Sequence, residues 1–289
     1  MNWFDYAAPP TVEEAIALMA AHPGARLLAG GTDLLVQLRA GRKGTDFVID
    51  LKRIPELNAI NYDAARGLTL GAAVPCYRIY RDQNVARAYP SLVEVASLIG
   101  GTQIQGRASI GGNLCNAAPS ADSVPLLIAL GAVCRITGPG GPREVAVENF
   151  CTGPGRNVMQ PGELLVALHL PPPQRHSGAR YLRFIPRNEM DIAVAGVGVE
   201  VVLDDGKFRS ARIALSSVAP TPLYVREAGD ALVGHQVNEE SIAAAGEIAR
   251  NSAEPITDMR GTAEYRRHLC AVLTRRALDA AVKRAREGK

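Results

Sequence analysis

Residues 27–35 read "LLAGGTDLL" and residues 108–116 read "ASIGGNLCN", so two glycine pairs each follow an apolar run and lead into small polar residues. A Gly-Gly after a strand predicts a tight turn, because glycine reaches positive φ without a Cβ clash. A second reading is that consecutive N–H groups bare of side chains form an anion-binding nest, strengthened by the helix N-terminus beyond. Neither pair has the G-x-G-x-x-G spacing, and no G-x-x-x-x-G-K-[ST] occurs in the chain, so neither common single-loop phosphate site applies. Two separate nests suit a ligand with two adjacent phosphates, such as a dinucleotide. Spacing alone leaves both readings open.

Upstream of the first pair, Thr11 and Glu14 have capping-box spacing, and Ile16, Met19 and Ala20 recur at helical intervals, which predicts a helix over residues 11–21. "ARLLAG" reads as a short buried strand, Thr32 or Asp33 caps a helix running to residue 39, and "DFVIDL" is a further strand. This alternation predicts a small α/β unit with parallel neighbours. "GLTLGAAV" reads as a strand, and a helix carrying Leu92, Val95 and Leu98 starts at Pro90. Residues 120–130 form a helical stripe with Asp122 in its first turn, where the helix dipole favours a carboxylate. Strands at "AVCRI", "REVAV" and "PGELLVALHLPPP" follow, and the three prolines that end the last one mark a boundary near residues 173–177. Beyond it, "AVAGVGVEVVL", "DDG" and "KFRSARIAL" predict a hairpin, with helices over residues 225–232, 241–251 and 262–286. The division expected is residues 1–175, in parts 1–57 and 58–175, and residues 176–289.

The chain of 289 residues is 47% hydrophobic and 21% charged, an ordinary globular composition. A formal charge of +3 is too balanced to argue for nucleic acid or an anionic membrane. From Arg260 onward the balance is locally basic, which reads as a solvated helix face or, alternatively, a docking surface for a partner. Five scattered cysteines without a CxxC pair disfavour a disulfide framework and a thiolate metal site. The N-terminal residues do not resemble a secretory signal, and the uncharged run at residues 123–134 is well short of the ~20 needed to span a bilayer. The expected setting is cytoplasmic, with no membrane span.

"LLAGGTDLL", "IDLKRIPEL", "GTQIQGRASIGGNLCNAAPSADSVP", "PGELLVALHLP" and "RFIPRNEMDIAVAG" occur in that order, and together they closely resemble the FAD-binding medium subunit of molybdenum hydroxylases. That family includes xanthine dehydrogenase and aerobic carbon monoxide dehydrogenase. "SIGGN" followed by Asp122 is the most specific block, and "SSVAPTPLYVREAG" resembles the family's C-terminal domain. The resemblance implies an α+β fold: a two-part FAD-binding domain of the vanillyl-alcohol-oxidase/PCMH type, then a small C-terminal domain with an antiparallel sheet and helices. It also implies that Leu28, Ala29, Gly30, Gly31, Thr32, Asp33, Leu34 and Leu35 wrap the FAD pyrophosphate and approach the flavin. Ser109, Ile110, Gly111, Gly112 and Asn113 would meet the pyrophosphate from the other side, with Asp122 accepting hydrogen bonds from ribose or adenine. Leu165 and Arg183 would contact the flavin end, where Arg183 replaces a common Lys and changes the donor geometry. Ile99 stands where some relatives carry an aromatic residue near the adenine. More plainly, Leu165 also suits a core position, Arg183 a surface cation and Asp122 a helix start.

Molybdopterin and 2Fe-2S clusters are expected in partner chains, since this one lacks grouped cysteine ligands. The function implied is an electron-transfer flavoprotein subunit, partnered by a small iron-sulfur subunit and a large molybdopterin subunit, as a dimer of heterotrimers. Two alternatives stand beside it: a free-standing FAD-dependent oxidase or dehydrogenase, and an assembly subunit whose flavin site is vestigial.

Overall fold

The computed structural model describes residues 3–287. The chain begins with β1 (Asp5–Ala7), α1 (Val12–Ala21), β2 (Arg26–Leu28), α2 (Leu34–Arg39) and β3 (Phe47–Asp50). The three strands are parallel in the order β1-β3-β2, as the alternating pattern predicts. Thr11 caps α1, its Oγ1 accepting the Glu14 N–H at 3.2 Å. Val12, Ala15, Ile49 and Leu51 close a small core that also takes in Leu57, Ala73 and Leu164 from the next part of the chain.

Next come β4 (Ile60–Asp63), β5 (Gly67–Gly71), and six helices: α3 (Cys76–Arg81), α4 (Gln83–Ala88), α5 (Pro90–Ala96), α6 (Thr102–Gln105), α7 (Ile110–Cys115) and α8 (Ser123–Ala129). They are followed by β6 (Val133–Gly138), β7 (Gly141–Ala146), the hairpin β8 (Cys151–Gly153) and β9 (Arg156–Asn157), and β10 (Leu164–Leu170). Strands β4, β5, β10, β6 and β7, in that order, form an antiparallel sheet, so β10 returns to the centre between strands that are far apart in sequence. Its bulge between Leu165 and Ala167 shifts the register against β6.

The last part holds β11 (Ser177–Phe184), β12 (Ala195–Asp204), β13 (Lys207–Ser216), β14 (Leu223–Tyr224), α9 (Arg226–Asp230), α10 (Glu239–Ser252) and α11 (Ala263–Glu287). The four strands are antiparallel in chain order, and the expected hairpin turns at Asp205 and Gly206, whose φ values are 44° and 74°. Valines 197, 199 and 201 face α10 and α11 in one core. The other face of this sheet packs on α8 from the preceding part. Both contacts are close enough to require glycine: a Cβ on Gly178 would lie 2.1 Å from Ala281 O, and one on Gly198 would lie 2.5 Å from Pro125 O.

The basic C-terminal helix is not uniformly solvated. Arg266 turns inward, donating to Val194 O at 3.0 Å, Ser217 O at 3.1 Å and Asp258 Oδ1 at 2.6 Å. Arg284 donates to Ala179 O at 2.8 Å and pairs with Glu94 of α5. Arg275, Arg276, Lys283 and Arg286 remain exposed.

Because a methyl at residue 198 must displace backbone of α8, Gly198→Ala is expected to cost about 1–3 kcal/mol. Gly44→Ala serves as the control, since nothing lies within 4 Å of a Cβ there. Thermal unfolding checks this: the midpoint should fall for Gly198→Ala only, and equal midpoints would contradict the close packing.

Candidate functional site

The first glycine pair follows β2. Gly31 has φ +80°, the left-handed conformation that the expected turn requires. Gly30 has a different task. A Cβ there would fall 2.0 Å from Arg107 O, so the first segment lies directly on the chain that leads into the second. Arg107 Nε donates back to Gly30 O at 3.2 Å, and Lys52 Nζ holds the neighbouring Ala29 O at 3.1 Å. Lys52 is itself fixed by Asp50 at 2.5 Å. Burial works against ionising Asp50, yet the bonds from Lys52 and Tyr6 keep its carboxyl below the usual range.

The second pair is not a turn. Gly111 and Gly112 lie in the first turn of α7, because Ser109 caps this helix, its Oγ accepting the Gly112 N–H at 3.0 Å. A cap two positions before a glycine pair starts a helix despite glycine's poor propensity. Gly111 is another contact glycine, since a Cβ there would lie 2.4 Å from Ala72 O. Gly112 differs from the other three. Its Cβ would meet only Ser109 Oγ, at 3.0 Å, so its bare backbone faces the space between the segments.

That space is a cleft of about 290 Å³. Its walls include Ala29, Gly30, Thr32, Asp33 and Leu34 from the first segment, and Ser109, Gly111, Gly112 and Asn113 from the second. Ile99 and Leu165 also line it. Leu28, Gly31, Leu35 and Ile110 do not: Leu28 and Ile110 are buried in the core and Leu35 is partly exposed. Several lining residues had no motif to announce them. Gln37 sits one turn after Asp33 and donates to Asn116 Oδ1 at 3.0 Å, tying α2 to the end of α7. Helical spacing from Asp33 was the available signal for Gln37. Arg26 and Lys43 add positive charge to the walls. Burial pushes the Asp33 carboxyl up and Lys43 pulls it down, though Asp33 is open enough to solvent for both effects to be screened.

Asp122 and Arg183 lie elsewhere, and they lie together. Asp122 occupies the N-cap position of α8 but makes no side-chain bond to the helix amides. Its Oδ1 accepts from Tyr181 OH at 2.7 Å, and its Oδ2 pairs with Arg183. The expected helix-start role is therefore replaced by a link to β11, and the Arg183 guanidinium is already paired with a carboxylate. Burial pushes the Asp122 carboxyl up, opposed by Arg183 and Tyr181. The link reaches the cleft indirectly: Ser123 Oγ, next in sequence, donates to Asn113 Oδ1 at 2.7 Å.

Backbone free of side chains at the glycines, two cations and an apolar patch at Ile99 and Leu165 suit a flat, phosphate-bearing ligand. The enclosed volume is at the small end of the range for ligand pockets, so it fits a diphosphate and one adjoining group, with the remainder of a dinucleotide lying in the open. Among the described residues no group of three or more His, Cys, Asp or Glu side chains gathers to hold a metal. No described helix is long and apolar enough to cross a membrane.

Comparison with known proteins agrees with this architecture. Residues 2–173 match the model of the FAD binding domain in molybdopterin dehydrogenase, and residues 180–281 match the CO dehydrogenase flavoprotein C-terminal domain. The chain is 34% identical over 283 residues to the xanthine dehydrogenase FAD-binding subunit of Escherichia coli O157:H7, covering 96% of this chain and 97% of that one. It is 34% identical to the carbon monoxide dehydrogenase medium chain of Afipia carboxidovorans, covering 98% of each. Among solved structures, a carbon monoxide dehydrogenase from Hydrogenophaga pseudoflava superposes with a TM-score of 0.94 at 33% identity, covering 98% of both chains. Two adjoining glycine segments on an α+β frame of this form, matched over nearly the whole chain, identify it as a member of the FAD-binding medium-subunit family of molybdenum hydroxylases.

Proposed function

We propose that this chain is the flavin-holding subunit of a molybdenum hydroxylase complex. In that complex, electrons released by substrate oxidation in a large molybdopterin subunit pass through a small iron-sulfur subunit and this chain to an external acceptor. The observation that carries the reading is the contact at Gly30, which brings two segments far apart in sequence onto one cleft. When bound, FAD supplies reversible one- and two-electron exchange; the protein supplies binding, orientation and electrostatics.

The residues divide the work. The side-chain-free backbone at Gly111 and Gly112 and the Ala29–Asp33 backbone cradle the pyrophosphate, with Arg26 and Lys43 offsetting its charge. Ile99 offers the adenine an aliphatic contact, and Leu165, on the bulged stretch of β10, lies under the flavin end. Asp122 and Arg183 act as a pair that fixes β11 beside Asn113, so their part is to position the cleft's wall. The division at residues 1–57, 58–175 and 176–289 belongs to the same reading, as do a dimer of heterotrimers and a cytoplasmic setting. The last is supported by five free thiols, three of them buried.

Purification of the native protein with its neighbours tests this. FAD, iron and molybdenum should co-purify with three different chains. A single-chain enzyme that oxidises an organic substrate without iron or molybdenum would replace the proposal with a free-standing flavin oxidase.

Asp33 yields a second expectation. An ionised carboxylate beside a diphosphate is repulsive, so FAD should be held more tightly once the Asp33 carboxyl, which burial pushes up, is protonated than when it is ionised at pH 8, by roughly threefold for a screened pair. Asp33→Asn should flatten that dependence when flavin release is followed by fluorescence. An unchanged pH profile in the variant would place the carboxylate away from the phosphates.

A further inference from the structure

A second cavity, of about 860 Å³, lies where the C-terminal sheet meets the preceding part of the chain, and it shares no lining residue with the glycine cleft. Ala179, Glu200 and Arg212 stand opposite one another across β11, β12 and β13, and all three line it. The sheet face that packs on α8 thus continues past the end of that helix as the cavity floor.

The charges on this floor are unevenly satisfied. Arg212 is bonded away from Glu200: its Nε donates to Ile128 O at 3.0 Å and one Nη to Glu148 at 3.1 Å, and its guanidinium lies 4.3 Å from the Tyr224 ring centroid. Glu200 makes no hydrogen bond or ion pair among the described residues, although it is half-buried in the cavity wall. Burial raises its carboxyl to about 7 against the pull of Arg212. A half-buried carboxylate with no donor of its own leaves both oxygens free to accept from a group in the cavity.

The rim has the opposite imbalance. Arg87 and Arg175 are exposed at the cavity and have no carboxylate partner among the described residues; Arg87 meets only Asn84, at 3.0 Å. Arg175 precedes His176, which holds φ at +56° and is pinned by the Leu203 N–H at 3.0 Å, so the rim segment is fixed in an uncommon conformation. Tyr62 and Pro171–Pro173 add apolar surface to the lining.

We propose that this cavity is a second small-molecule site, which takes a nucleotide whose base offers adjacent N–H donors to Glu200 while its phosphate meets Arg87 and Arg175. A guanine edge matches best, because its ring N–H and amino group reach both oxygens of one carboxylate in a charge-assisted pair. The base lies along the tyrosine and proline surface, and the volume falls within the range of small-molecule sites.

The test uses the FAD-loaded protein as it purifies, so the glycine cleft is already filled. Calorimetric titration with guanosine 5′-monophosphate should show saturable binding. Glu200→Gln and Arg175→Ala should each weaken it at least tenfold while leaving FAD content unchanged. Inorganic phosphate should bind at least tenfold more weakly, and Glu200→Gln should not alter that. No saturable binding, binding that both variants leave intact, or phosphate binding as tight as the nucleotide would each overturn the proposal. FAD content is read in the same samples, so loss of flavin from the wild type would count against the proposed function and not against this site.

Discussion

Two backbone approaches that leave no room for a Cβ, Gly30 on Arg107 O and Gly111 on Ala72 O, hold the site together. The first lays the loop after β2 on the chain entering α7, and the second seats α7 beside the end of β5. Packed interiors have few voids, so a methyl at either place must move a main chain rather than a side chain. Everything else at the cleft follows from that seating. Ser109 caps a helix whose Gly112 is left facing the opening, Gln37 reaches Asn116, and Arg26 and Lys43 face the same space.

The same economy joins the C-terminal sheet to the rest. One face of the sheet rests on α10 and α11, while Gly198 lets α8 approach the other face. At the head of α8, Asp122 gathers Tyr181 and Arg183, and Ser123 binds Asn113. A buried ion pair of this kind is weak evidence of net stability, because desolvation offsets much of the attraction. Its effect here is geometric, since it sets where β11 lies relative to the second glycine segment. The C-terminal part is thus coupled to the cleft through five side chains, Tyr181, Arg183, Asp122, Ser123 and Asn113.

Much of this was legible in the sequence, for identifiable reasons. The Thr11 cap, the parallel strands β2 and β3 and the "DDG" hairpin are local signals, and local signals decide local structure. The resemblance supplied the family and the two segments, and eleven of the seventeen expected site residues line the cleft. The second glycine pair misled as a turn, because glycine's low helix propensity hid what the Ser109 cap decides. Asp122 and Arg183 could not be paired from spacing, since 61 positions separate them and only the packing of β11 beside α8 brings them together. Nor could the distinct tasks of the four glycines be told apart. Two serve chain contact, one a positive φ and one the open cleft, and that distinction exists only in three dimensions.

Whether the two segments form one cradle for the FAD diphosphate is tested at Gly112, because an added Cβ there meets the Ser109 hydroxyl and no main chain. FAD released on denaturation of Gly112→Val, with circular dichroism confirming the fold, is the decisive measurement. A folded protein that carries little or no flavin is the expected result. One FAD retained per chain in that variant would contradict it.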